Sequence, residues 1–161
     1  MQTMFQYNWL VREDWFDWCE RIPHEELLKV RVGGVGGILK TLLHIVDVEY
    51  SWLWFLQGEL EEPEFEIAQY DTLAKVRQLS ADLHPFVESF VSSWKEEMDK
   101  QAVYVPWWNQ SFAKGAILRH VIAHEIHHIG QLSVWSRELG EKPVSANVIG
   151  RGLLPVPQED Q

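Results

Sequence analysis

Cysteine is almost missing from this chain. Cys19 is the single one, so an intrachain disulfide is excluded and a reducing compartment is expected. Positive charge is scarce as well: 14 Lys and Arg stand against 24 Asp and Glu, a formal net charge of -10. Non-specific nucleic-acid binding needs a basic footprint to neutralise phosphates, so no nucleic-acid partner is expected. No apolar run approaches the ~20 residues that span a bilayer, so no membrane partner is expected either. Arg12, Glu13 and Asp14 interrupt the N-terminal region where a secretory leader would need apolar residues. These shortages together point to a soluble, cytoplasmic protein.

What is present points to a packed core. Of 161 residues, 46% are apolar and 24% charged, which excludes a disordered chain. That length suits one domain over residues 1–161. There are nine tryptophans. Trp94 and Trp135 fall on helical stripes and are expected in the core. Trp107 and Trp108 fall in an aperiodic stretch, where a pocket wall or an intermolecular contact competes with core packing.

Hydrophobic periodicity predicts four long helices. The first runs from about Met4 to Arg21, with a short turn at 24–28 after Pro23. Gly33, Gly34, Gly36 and Gly37 then break the chain. They lack the lysine and the preceding strand of a phosphate loop, and read as a flexible helix entry. The second helix spans Ile38 to Gln57, is apolar nearly all round, and stops at Gly58. An acidic connector follows (Glu59, Glu61, Glu62, Glu64, Glu66), expected as a solvated loop.

The third helix begins at Asp71 or Thr72, either a good N-cap, and Pro85 should kink or split it. The fourth runs from about Phe112, capped by Ser111, to Leu139, with Gly140 as its stop. Residues 155–161 are expected to fray. With no convincing strand pattern, the fold expected is all-α, a four-helix bundle. The long second connection leaves room for a crossover.

The chemistry is concentrated in the fourth helix. Its core stripe is Ile117, Val121, His124, His128, Leu132, Trp135 and Leu139, at spacings 4, 3, 4, 4, 3, 4. Two imidazoles take places that Leu or Val would otherwise fill. An i, i+4 pair lies on one helix face and can reach one metal ion. A buried His without a partner costs on the order of 1–3 kcal/mol, and a shared cation would satisfy both. His120 is ~12 Å from His128 along the axis, too far to share that ion. His127 is rotated ~100° away from His128.

A third ligand is expected from a facing helix, and His44, mid-way along the apolar second helix, is the candidate. A hydrogen-bonded core histidine is the competing reading for each of the three. Three His ligands suit Zn²⁺, Ni²⁺ or a similar ion and leave a coordination position open, the mark of a catalytic site. Asp47, Glu49 and Gln131 are candidates to orient the imidazoles, against ordinary surface or helix-pairing roles.

His124-Glu125-Ile126-His127-His128 also matches H-E-x-x-H, the zinc-protease helix. The metzincin extension fails, because Gln131 and Val134 stand where Gly and His are required. Glu125 is then either a base toward a water at the metal or a solvent-facing residue.

Two segments resemble the DinB/YfiT-like family. Leu43-His44-Ile45-Val46-Asp47-Val48-Glu49-Tyr50-Ser51-Trp52-Leu53 is similar to its second-helix signature, and His120 through Leu132 to its fourth. Tyr7-Asn8-Trp9 is similar to its opening. The resemblance implies a four-helix bundle, often a homodimer, with a divalent metal (Zn or Ni) held at His44, His124 and His128. The family's usual Arg between the last His and Gly is Ile129 here, which removes any polar role at that position. Some relatives are thiol S-transferases using low-molecular-weight thiols; others have been called metal-dependent hydrolases. The resemblance thus implies a small-molecule substrate and a transferase or hydrolase, with a non-catalytic metal-binding stress protein as the alternative.

Overall fold

The computed structural model describes residues 1–58 and 66–154. Four long helices carry the fold: α1 (Gln2–Cys19), α3 (Ile38–Gln57), α4 (Leu73–Ser93) and α5 (Lys114–Glu138). A short α2 (His24–Leu28) sits between the first two. The chain is therefore the expected all-α bundle, with one addition. Strands β1 (Ala102–Val105) and β2 (Gln110–Ala113) pair antiparallel, Ala102 opposite Ala113 and Val105 opposite Gln110.

That hairpin corrects the start of the last helix. Ser111 is a strand residue, and the N-cap is Ala113, whose side chain caps nothing. A four-residue strand is too short to show alternation against a helical pattern that follows directly. The α3 boundaries are those expected, closed by Gly58 at φ 106, a left-handed turn that glycine adopts without strain. Thr72 is the N-cap of α4, its hydroxyl accepting from the Lys75 N–H. Pro85 does not divide α4. It removes one backbone hydrogen bond, and Leu79, Val87 and Val91, buried on either side of it, hold the helix against the core.

The helix directions follow from the contacts. Gln2 bonds the carbonyl of Val91 while Arg77 reaches Asp17, so α1 and α4 are antiparallel. Asn8 bonds Ile122 and Trp18 bonds Lys142, so α1 and α5 run the same way. His44 meets His124 and Trp52 meets His120, so α3 and α5 are antiparallel. It follows that α3 and α4 are parallel. Leu39 and Leu42 share one core cluster with Val76 and Leu79, whereas Leu53 and Leu56 share the other with Val87 and Val91. α4 therefore starts at the same end of the bundle as α3, which is the crossover the sequence left room for. Of the acidic connector, Glu66 is described and exposed; Glu59, Glu61, Glu62 and Glu64 lie outside the described residues, as does the tail 155–161.

The aromatic expectations divide. Trp135 is buried and Trp94 half-buried against the core, while Trp107 and Trp108 are exposed. Among the described residues no helix is long and apolar enough to cross a membrane.

Candidate metal centre

The antiparallel pairing of α3 with α5 sets His44 opposite His124 and His128. His124 Nε2 lies 3.1 Å from His44 Nε2 and 3.1 Å from His128 Nε2. One ligand atom from each of the three falls within 4.8 Å of the others, a group that could hold a metal ion. Two nitrogens bound at 2.0–2.1 Å to a tetrahedral ion would stand roughly 3.3 Å apart, and adjacent octahedral ligands roughly 3.0 Å. The observed separation suits either geometry.

Hydrogen bonding alone satisfies this cluster poorly. Gln131 Oε1 accepts from His128 Nδ1 at 2.7 Å, which makes Nδ1 the protonated nitrogen and leaves a lone pair on Nε2. His124 Nε2 faces that lone pair and His44 Nε2 at once. One hydrogen bridges one of those contacts well; a shared cation satisfies both.

The electrostatics favour neutral rings. Burial, then the nearby His128 and Lys40, lowers the His44 pKa. Burial, followed by the neighbouring histidines, brings His124 down to about 3. Burial also lowers His128, opposed by its bond to Gln131. Neutral imidazole is the ligating form. His128 is buried while His44 and His124 are half-buried, so the cluster has an accessible side.

The remaining polar candidates take different places. Gln131 holds His128 and also donates from Nε2 to His127 Nε2 at 2.9 Å. Asp47 instead accepts from the Ser51 hydroxyl, and Glu49 accepts from Trp9 Nε1 and Arg12 Nη1, so neither orients His44. His120 and His127 are exposed and outside the cluster; His24 is exposed, and His84 stands half-buried on α4 edge-on to Trp9.

Glu125 is the clearest departure. It neither faces solvent nor is free to serve a water at the metal. It is 1% exposed, and its two oxygens accept from Arg12 Nε at 2.9 Å and Nη2 at 2.6 Å. On α5 it points to α1, while its neighbours His124 and His128 point to α3. The H-E-x-x-H reading fails on the same contact, since its glutamate is consumed by a buried ion pair.

Sequence reasoning missed Arg12, which it read only as a charge interrupting the N-terminal region. A signal was there: Phe5, Asn8, Arg12, Trp15 and Cys19 recur at 3, 4, 3, 4 and all are buried, with two polar residues on an apolar face. Gly34 was missed too. At φ +52 it lies so close to Gln131 that an added Cβ would sit 2.2 Å from Oε1. The glycine segment is thus more than a helix entry, because it backs the residue that holds His128.

The model of the DinB family matches residues 1–152. An uncharacterized protein of Bacillus subtilis (strain 168), YizA, is 48% identical over 157 residues, covering 97% of this chain and 98% of its own length.

Proposed function

This chain belongs to the DinB family, and on that premise we propose that it is a divalent-metal-dependent enzyme with His44, His124 and His128 as ligands. The observation that carries the reading is the pair of 3.1 Å Nε2 separations, from helices that meet only in the folded bundle. A Zn²⁺ or Ni²⁺ ion there would lower the pKa of a thiol or a water and so supply a nucleophile at neutral pH.

The residues of the chain prepare that chemistry. Burial favours the unprotonated form of all three rings, and Gln131 fixes the tautomer of His128. The half-buried His44 and His124 leave a side open to a small molecule, which favours a catalytic over a closed structural site. Cys19 is not the nucleophile: it is fully buried, and burial pushes its thiol up to about 12. A thiol must therefore come from solution. Transfer of a low-molecular-weight thiol to an electrophile is the preferred reading, drawn from the family resemblance; hydrolysis is the same site acting on water. A cytoplasmic location is part of the same proposal, in keeping with a chain that carries a single cysteine. The homodimer expected from the family is part of this proposal, and sedimentation tests it.

The deciding experiment is metal analysis of protein purified without chelator, followed by thiol-consumption assays with model electrophiles. One equivalent of metal, lost in both His44→Ala and His124→Ala, is expected. Unchanged metal in the two variants overturns the ligand assignment. Metal without turnover on any thiol or water substrate leaves a non-catalytic metal-binding protein.

A further inference from the structure

The tip of the hairpin carries two tryptophans that the fold holds in the open. Trp107 is 57% exposed and Trp108 54%. With Tyr104, 53% exposed on the same hairpin, they make a contiguous aromatic patch, the kind of surface that marks a contact site. The tip is firmly built. Val105 is fully buried beneath it, Pro106 opens the 3-10 turn Pro106–Trp108, and Tyr104 Oη donates to Asn109 Oδ1 at 2.6 Å across it.

Both indoles rest on Trp52 of α3, with ring centroids 5.5 Å away in each case. Trp52 in turn lies 6.1 Å from His120, and His120 5.8 Å from His124. A continuous series of rings therefore leads from the exposed tip to the histidine cluster.

We propose that Trp107 and Trp108, backed by Trp52, form a stacking subsite for a flat, electron-poor ring carried by the substrate. The proposal rests on the reading of the histidine cluster as a substrate-binding metal centre. Indole faces are electron-rich and attract rings depleted of π density. A second copy of the chain is the competing occupant. Half of each indole amounts to roughly 250 Å² together, well under the ~800 Å² per partner of a stable interface. Continuity with the histidines also favours a small molecule.

The test uses the full zinc-loaded chain and two probes, S-(2,4-dinitrophenyl)cysteine and S-butylcysteine, measured by equilibrium dialysis. The dinitrophenyl probe should bind about tenfold tighter. W107A/W108A should lose that preference with zinc content unchanged and a cooperative unfolding transition retained, and W107F/W108F should keep most of it. Equal affinity for the two probes overturns the subsite. So does a preference that survives in W107A/W108A, including the case where that variant only converts a dimer to monomers. The outcome is separable from the enzymatic reading. A ring preference that disappears in W107A/W108A supports the subsite even if no turnover is found. Turnover without any ring preference sinks the subsite alone.

Discussion

Arg12 on α1 and Glu125 on α5 form a two-pronged ion pair inside the bundle, with Glu49 of α3 as a second carboxylate on the same guanidinium. All three are under 5% exposed. Arg12 thereby ties together the three helices around the histidine cluster, because α3 supplies His44 and α5 supplies His124 and His128. Buried charges are costly to desolvate and are retained only when closely paired. Here burial raises the Glu125 pKa and Arg12 opposes that rise.

Removing Arg12 should therefore be severe. Arg12→Ala leaves two carboxylates buried without their cation and is expected to cost about 3–5 kcal/mol. Urea unfolding measures it. A change within about 0.5 kcal/mol, the usual span for surface substitutions, would show that the pair holds nothing together. Glu125→Gln should also destabilise the fold yet leave metal stoichiometry intact, because its carboxylate serves Arg12 rather than an ion.

Gln131→Ala should weaken metal affinity by roughly 10–100-fold, the usual effect of deleting a group that orients a ligating histidine. Chelator competition gives the number. Gly34→Ala should act on the same residue from the other side. Its φ of +52 strains any side chain, and the new Cβ displaces the Gln131 amide. Weaker metal binding together with a stability loss of about 1–2 kcal/mol is expected; unaltered affinity would mean that Gln131 finds His128 without Gly34's close approach.

Not every histidine in the cluster's neighbourhood should matter for metal. His120→Ala and His127→Ala should retain full stoichiometry, since both rings lie outside the converging set. His128→Ala should lose it. Loss of metal in His120→Ala, with His128→Ala unaffected, would move the centre one turn along α5.

The metal-free protein should lose stability in acid partly through His124. Folded, it takes up a proton only near pH 3; unfolded, it does so at about 6.5. Between those values the unfolded chain holds more protons, so stability falls as pH drops through that window. Above it both states are neutral and the residue contributes no slope. The chelated wild-type protein should therefore show a steeper loss between pH 6.5 and 3 than chelated His124→Ala. Identical slopes would place His124 in solvent rather than in the cluster.

Local pattern was enough for much of this molecule. The Ile38–Gln57 helix could be read to the residue, because apolar side chains mark nearly every turn and Gly58 ends it. The Thr72 cap was legible for the same local reason. The β-hairpin was not, since four-residue strands carry too little period to be seen beside a helix. Of the two outcomes expected at Pro85, the split does not occur: a missing N–H is a local defect, and the buried side chains flanking it keep α4 one helix.

By itself, the sequence determined that four helices form and that His124 and His128 share a face, because both follow from a 3.6-residue repeat acting over one or two turns. It also made His44 a candidate, as a polar residue in an apolar helix. Only the tertiary structure decided that His44 meets the other two, that Glu125 turns away to Arg12, and that Trp107 and Trp108 reach toward His120 through Trp52. These pairings join residues roughly 55 to 115 positions apart, and no repeat along the chain encodes them. They depend on which helix faces pack together and in which direction each helix runs, and that is settled by the bundle as a whole.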